Sequence, residues 1–144
     1  MRPIILDASV AAKWFTTESG GKEAVELMRS GLDLYAPDFF LIEMDNLFSK
    51  WVRRGDMSRL EAEEARDILA AQPIFFFENA ELRSHAWEIA TMTGRAMYDC
   101  LYVALAVALA GVMVTADARL AKGLTTTPFE KYVCVVERVH TIAP

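Results

Sequence analysis

Two aspartates directly follow short apolar stretches of the chain. Asp7 comes after residues 4–6, and Asp117 comes after the run 112–116. If both stretches are parallel strands, their carboxyl ends meet at one edge of a sheet, where the two carboxylates would lie close together. Carboxylates placed together in this way repel each other unless they share protons or bind a cation.

Two further acids lie in segments where helices are predicted. Asp99 stands at the start of an uncharged helix, where the helix N-terminus favours a negative charge. Glu43 lies within a predicted helix over residues 38–54, at the margin of its apolar face with Asn46 and Lys50. That position leaves open whether Glu43 faces a cleft or water.

Four acids at one sheet edge would support the binding of a hard cation. Carboxylate oxygens with no His or Cys nearby suit Mg²⁺ or Mn²⁺ and disfavour zinc. Each acid, taken singly, is better explained structurally: Asp7 and Asp99 as helix caps, Asp117 as the cap of a short helix over 118–122, and Glu43 as a solvated residue. The combination of the four favours the metal site.

The elements that must position these acids alternate along the chain. Strands are predicted at residues 4–6, 34–36, 75–77, 112–115 and 132–136. Helices are predicted at 22–30, 38–54, from the capping-box sequence at Ser58 to before Pro73, at 81–93 before Gly94, and from residue 98 or 99 towards Gly111. This alternation predicts an α/β three-layer sandwich with a mostly parallel central sheet of about five strands, forming one domain over residues 1–144.

The composition narrows the class of protein. Of the 144 residues, 53% are hydrophobic and 24% are charged, which is typical of a folded domain with some apolar surface covered by a partner. Trp14, Phe15, Leu27, Met28 and the helix over 39–51 are the candidates for that surface. A net charge of -5 argues against a broad basic face for nucleic acid.

Several features of the sequence predict a cytoplasmic protein. The uncharged run 100–116 is shorter than a membrane-spanning helix and is interrupted at Gly111, so no membrane association is expected. Cys100 and Cys134 both have apolar neighbours, which is typical of reduced core cysteines. The apolar run at 4–6 is too short for a signal peptide.

Four segments carry the acids in order along the chain: ILDASV at 5–10, EMDN at 43–46, YDCLYVALA at 98–106 and VTADARL at 114–120. Together they resemble the successive motifs of the PIN-domain family, VapC branch, and they span nearly the whole chain. The resemblance implies a PIN-like fold. It also implies an acidic metal-binding cluster of Asp7, Glu43, Asp99 and Asp117, and hydroxyls that support the site at Ser9 and Thr115. A helix cap and an ordinary strand residue are the alternatives for those two hydroxyls.

The resemblance further implies a metal-dependent endoribonuclease, in which bound Mg²⁺ or Mn²⁺ activates water for attack on a phosphodiester. A cation would also turn the acidic pocket into one that accepts a phosphate, so the net charge does not exclude an RNA substrate. By the same resemblance we expect the toxin of a VapBC-type pair, neutralised by a VapB-like antitoxin, and a homodimer. Basic residues near the motifs are candidates for contacts with the RNA backbone: Lys13, Lys50, Arg95 and Arg119.

Two other functions compete with this interpretation. An aspartate-based phosphatase or phosphotransfer domain also places an Asp after the first strand. Haloacid-dehalogenase-like phosphatases have a second acid two residues after the first, where Ser9 stands in this chain. Receiver domains have a lysine in a late loop, and residues 133–137 contain none. A catalytically inactive PIN-like binding module would be expected to lack an acid, and none of the four is missing.

Overall fold

The computed structural model describes residues 2–17 and 19–142. The strands are β1 (Ile4–Leu6), β2 (Leu34–Pro37), β3 (Ile74–Phe77), β4 (Val112–Thr115) and β5 (Val133–Val135). The helices are α1 (Ala8–Ala11), α2 (Gly21–Arg29), α3 (Phe39–Arg53), α4 (Arg59–Ala70), α5 (Asn79–Thr93), α6 (Met97–Ala108) and α7 (Ala118–Gly123). Three 3₁₀ segments cover Ala12–Phe15, Glu130–Tyr132 and Val136–Thr141.

The five strands form one sheet in the order β3-β2-β1-β4-β5, and every neighbouring pair is parallel. Each residue of β1 and β4 is buried, as expected for central strands covered by helices on both faces. The predicted α/β sandwich with a parallel five-stranded sheet is confirmed. The chain runs outward from β1 to β3 and returns to β4, so the strand order reverses between β1 and β4. In open parallel sheets, sites form outside the strand ends at such a reversal.

The segment from α6 to β4 brings the second central strand against the first. Residues 100–106 of α6 are all buried, which explains the long uncharged run in the sequence. The turn between α6 and β4 passes so close to the start of β1 that a Cβ at Gly111 would overlap the carbonyl oxygen of Pro3. Val112 donates its N–H to that same oxygen at 2.9 Å, and this contact sets the β1–β4 register. Only glycine fits at this approach.

The starts of α3 and α5 cap each other. The Asp38 carboxylate accepts a hydrogen bond from the backbone N–H of Asn79, and the Asn79 side chain accepts one from the N–H of Phe39, both at 3.1 Å. Asp38 stands at the N-cap position of its own helix α3, but its side chain makes no capping bond to that helix. Because β2 and β3 are parallel neighbours, the helices that follow them begin side by side.

Other local predictions hold with small shifts of boundary. Ser58 and Glu61 form the predicted capping box at the start of α4. Gly94 ends α5 with a left-handed φ of 74°, as its position in the sequence indicates. Strand β2 extends through Pro37, one residue further than predicted, and β5 is shorter than the predicted strand over 132–136.

The apolar side chains expected to meet a partner are partly covered by the chain itself. Leu27 is only 3% exposed, Phe15 packs edge-on against Phe48, and the Trp14 indole donates a hydrogen bond to a backbone carbonyl. The large apolar side chains with the greatest exposure are Ile42, Leu60, Trp87, Met92 and Tyr98. The apolar surface therefore lies mainly on α3, α4, α5 and the start of α6.

Cys100 and Cys134 are both free thiols, as predicted. Within the described residues, no helix combines the length and the apolar character that crossing a membrane requires.

Candidate active site

A cleft of about 590 Å³ opens at the carboxyl edge of the sheet, where β1 and β4 end side by side. All four predicted acids line it: Asp7, Glu43, Asp99 and Asp117. Asp7 is joined directly to the neighbouring strand, because its backbone N–H donates to the carbonyl of Val114 at 3.1 Å. The structure thus brings together four side chains that the sequence spreads over more than a hundred residues.

Asp7 is held by two hydroxyl groups. Its Oδ2 accepts hydrogen bonds from Ser9 Oγ and Thr115 Oγ1, each at 2.7 Å. The two hydroxyls in turn accept backbone N–H groups, from Ala116 at 2.9 Å and from Asp117 at 3.0 Å. Asp7 stands at the N-cap position of α1, but its carboxylate makes no capping hydrogen bond to that helix. Its carboxylate is oriented by side chains at the edge of the sheet.

The environment of Asp7 resists ionisation. The side chain is only 6% exposed. Burial raises the pKa of Asp7 above its usual value, and the negative charge of Asp117 acts in the same direction; the hydrogen bonds from Ser9 and Thr115 oppose both. A bound cation would remove this penalty on the charged form.

Asp99 is the third residue of α6 and not its cap, which is Ala96. The side chain is partly buried and lines the cleft. Burial, followed by the charges of Asp7 and Asp117, raises the pKa of Asp99 to about 6, although the nearby Arg95 lowers it. The capping interpretation of Asp99 is therefore wrong, and its electrostatics are coupled to the other acids.

Glu43 faces the cleft and a buried tyrosine. Its Oε1 accepts a hydrogen bond from the Tyr102 hydroxyl at 2.6 Å. Burial raises the pKa of Glu43 to about 7; the hydrogen bond from Tyr102 lowers the pKa, while the charges of Asp7 and Asp99 raise it. The alternative of a solvated helix residue is wrong for Glu43.

Sequence reasoning assigned no role to Tyr102. It lies three residues after Asp99, which places the two side chains on one face of α6. It is 1% exposed, and a buried tyrosine usually finds a partner for its hydroxyl. A tyrosine inside the uncharged run of α6, one turn after a candidate metal ligand, is the signal that could have identified it.

Asp117 combines a capping role with a place in the cleft. Its Oδ1 accepts the backbone N–H groups of Arg119 at 2.9 Å and Leu120 at 3.2 Å, which caps α7 as the sequence predicted. Both bonds go to the same oxygen, so Oδ2 is left to face another ligand. Capping and metal binding are therefore compatible at this residue.

The cleft suits a hard divalent cation by its donor chemistry. All four acidic side chains offer oxygen, and no His or Cys is among the described residues that line the cleft. In residues 2–17 and 19–142, no three His, Cys, Asp or Glu side chains are gathered closely enough to enclose an ion. Mg²⁺ usually retains several waters and takes only one or two carboxylates, so an open arrangement fits it. Burial, together with repulsion among the acids, raises the pKa values of Asp7, Glu43 and Asp99, and a bound cation would offset both effects.

Basic residues form part of the cleft wall. Of the four candidates from the sequence, Lys13 and Lys50 line the cleft, whereas Arg95 and Arg119 do not. The guanidinium of Arg95 is near Gly123, where an added Cβ would lie 2.8 Å from Cζ. Arg54 also lines the cleft and was not predicted.

The parallel sheet and the order of the motifs define a class of protein that a family comparison identifies directly. The chain belongs to the PIN domain family, whose model matches residues 4–123. This match includes all four motif segments and confirms the resemblance drawn from them.

One named relative and two solved structures are similar to this chain. It is 29% identical over 123 residues to Ribonuclease VapC3 of Pyrobaculum aerophilum, an alignment that covers 83% of this chain and 92% of that protein. A crystal structure of a Pyrobaculum aerophilum protein superposes with a TM-score of 0.73 at 18% identity, covering 99% of this chain and 89% of the other. A toxin–antitoxin complex from Klebsiella pneumoniae contains a chain with a TM-score of 0.65 at 10% identity, covering 92% and 97%. At these identities the two structures support the fold alone.

Proposed function

We propose that this protein is an endoribonuclease and the toxin of a VapBC-type toxin–antitoxin pair, and that it hydrolyses RNA phosphodiesters with bound Mg²⁺ or Mn²⁺. The observation that carries the proposal is the convergence of Asp7, Glu43, Asp99 and Asp117 on one cleft at the strand reversal. Membership of the PIN domain family and the ribonuclease named among its relatives support it.

Carboxylates of this cluster would hold the cation, directly or through its waters, and the cation when bound activates water and stabilises charge on the phosphate. Ser9 and Thr115 both donate to Oδ2 of Asp7, so its Oδ1 is left for a ligand in a fixed orientation. Tyr102 occupies Oε1 of Glu43 and leaves Oε2 to take a ligand or a proton. The chain therefore supplies oriented oxygens, and it limits their side-chain motion with hydroxyl donors.

The test is cleavage of a mixed RNA pool by the purified protein with Mg²⁺, with Mn²⁺ or with EDTA, beside Asp99→Asn. We expect cutting that needs the metal and that is lost in the variant. Calorimetric titration of Mg²⁺ into both proteins measures ion binding without relying on activity. A folded protein that binds Mg²⁺ but cuts no RNA would favour the inactive binding module, and one that does neither would contradict the metal site.

An antitoxin partner and a homodimer belong to the same proposal. The Klebsiella pneumoniae structure is a toxin–antitoxin complex, and this chain exposes large apolar side chains at Ile42, Trp87 and Met92. Such surface is typical of a partner interface. Light scattering of the purified protein, alone and co-expressed with a candidate antitoxin, measures both assemblies. A monomer that binds no antitoxin but still cleaves RNA would support the nuclease activity and contradict the toxin assignment.

A further inference from the structure

Helix α3 presents to the cleft a face whose side chains change from acidic to basic along the helix, the graded face. Glu43, Asn46, Lys50 and Arg54 follow one another at intervals of three or four residues, which places them on one side of the helix. All four line the cleft. At 1.5 Å per residue, this face extends about 16 Å from the acidic end at Glu43 to the cationic end at Arg54. The cleft is therefore acidic at the sheet and basic along the helix.

The cations of this face are not committed to strong ion pairs. Lys50 is exposed and has no ion-pair partner within the described part of the chain. Arg54 lies 3.5 Å from Asp56, with side-chain exposures of 60% and 54%, and such exposed pairs contribute little and exchange readily. Both charges are thus available to a ligand.

The acid of α3 that lies outside the cleft is neutralised within the protein. Arg66 of α4 donates to both carboxylate oxygens of Asp45, at 2.7 and 3.2 Å. Asp45 is therefore paired with a cation of α4 and does not compete for Lys50 or Arg54.

We propose that Asn46, Lys50 and Arg54 form a binding subsite for the sugar–phosphate backbone of the RNA substrate. The inference rests on the proposed function and adds the position of the flanking nucleotides. The carboxylates repel every phosphate other than the one held through a cation, so the neighbouring phosphates need cations nearby.

The test compares two double variants with equal loss of charge in an Asp99→Asn background, which prevents cutting. Lys50→Gln with Arg54→Gln removes the subsite cations. Arg83→Gln with Lys131→Gln removes two exposed cations of α5 and the segment before β5, neither of which lines the cleft. Fluorescence anisotropy follows binding of a mixed-sequence single-stranded RNA of about 12 nucleotides. Salt is varied between about 50 and about 200 mM KCl.

We expect the subsite variant to bind several-fold more weakly at low salt. Its slope of log affinity against log salt should fall by about 1.4, since each phosphate contact on a single strand contributes about 0.7. The control variant should keep the parent slope. In the cleavage-competent protein, the same two substitutions should raise KM more than they lower kcat, because flanking contacts bind substrate and transition state alike.

The possible failures are distinguishable. Equal slopes in the Asp99→Asn parent and in both double variants would overturn the subsite, while RNA cleavage by the unmodified protein would still support the proposed function. A parent protein that binds no RNA would overturn both.

Discussion

The hydroxyl of Thr115 donates a hydrogen bond to Oδ2 of Asp7 at 2.7 Å, although 108 residues separate them. The same hydroxyl accepts the backbone N–H of Asp117 at 3.0 Å. One fully buried side chain at the end of β4 therefore sets the orientation of Asp7 and the backbone that carries Asp117. The geometry of two candidate metal ligands is coupled through a residue that offers no charge.

Thr115→Val tests this coupling, because valine keeps the shape of threonine and removes the hydroxyl. We expect RNA cleavage to fall by about 10- to 100-fold, the usual effect of losing a partner that orients a metal ligand. The N–H of Asp117 also loses its acceptor, so the free energy of unfolding should fall by about 1–3 kcal/mol. Chemical denaturation and initial cleavage rates measure the two effects.

Thr115→Ser is the matched control, since it keeps the oxygen and removes only a methyl group. It should retain most of the cleavage that Thr115→Val loses. A larger loss in Thr115→Ser than in Thr115→Val would mean that packing, and not the hydroxyl, carries the effect.

Asp7→Asn should remove cleavage without unfolding the protein. The amide oxygen can still accept hydrogen bonds from the two hydroxyls. The neutral side chain also avoids the cost of burying a charge, which raises the pKa of Asp7. We expect activity to fall more than about 100-fold, beyond the loss typical of an outer-shell partner. The free energy of unfolding should be equal or higher, because removing one charge relieves repulsion from Asp117. Collapse of the fold would instead favour a purely structural role.

Tyr102→Phe removes the hydrogen bond to Glu43 and leaves the ring in place. That hydrogen bond lowers the pKa of Glu43, so its loss should raise the pKa further and weaken cation binding near neutral pH. We expect a higher Mg²⁺ concentration for half-maximal cleavage, and a pH–rate profile displaced to higher pH. Both are measured by initial rates over a matrix of pH and Mg²⁺. Unchanged metal and pH dependence with a lower melting temperature would make Tyr102 a packing residue only.

The metal-free protein should lose stability as the pH rises. Glu43 has its pKa raised from 4.5 to about 7, and Asp99 from 3.8 to about 6, so the folded state holds protons more tightly than the unfolded chain. The stability that this contributes is fully present below the unfolded pKa values and is lost as the pH rises through about 6 to 7. In EDTA, the melting temperature should therefore fall over that window.

Added Mg²⁺ should raise the melting temperature more at about pH 8 than at about pH 5, because the carboxylates must be deprotonated to bind it. Glu43→Gln combined with Asp99→Asn should flatten the pH dependence in EDTA. A melting temperature in EDTA that rises through the window would contradict the coupling of these acids.

Much of the fold was predictable because its signals are local. Buried strands appear as short apolar runs, α6 as an uncharged segment before Gly111, and α4 as a capping box at Ser58. Each depends on residues within a few positions of one another. Asp7 and Asp117 directly follow strands, and predicting that they lie together required only that parallel strands end at one edge.

Local signals in the sequence were thus enough to predict the order of the elements, the parallel sheet and the four acids that line the cleft. The folded structure was needed to show that Asp38 caps α5, that Tyr102 bonds to Glu43, and that Arg54 lines the cleft. Such contacts depend on distances between segments far apart in the chain. Those distances follow from the strand order β3-β2-β1-β4-β5, which no local periodicity encodes.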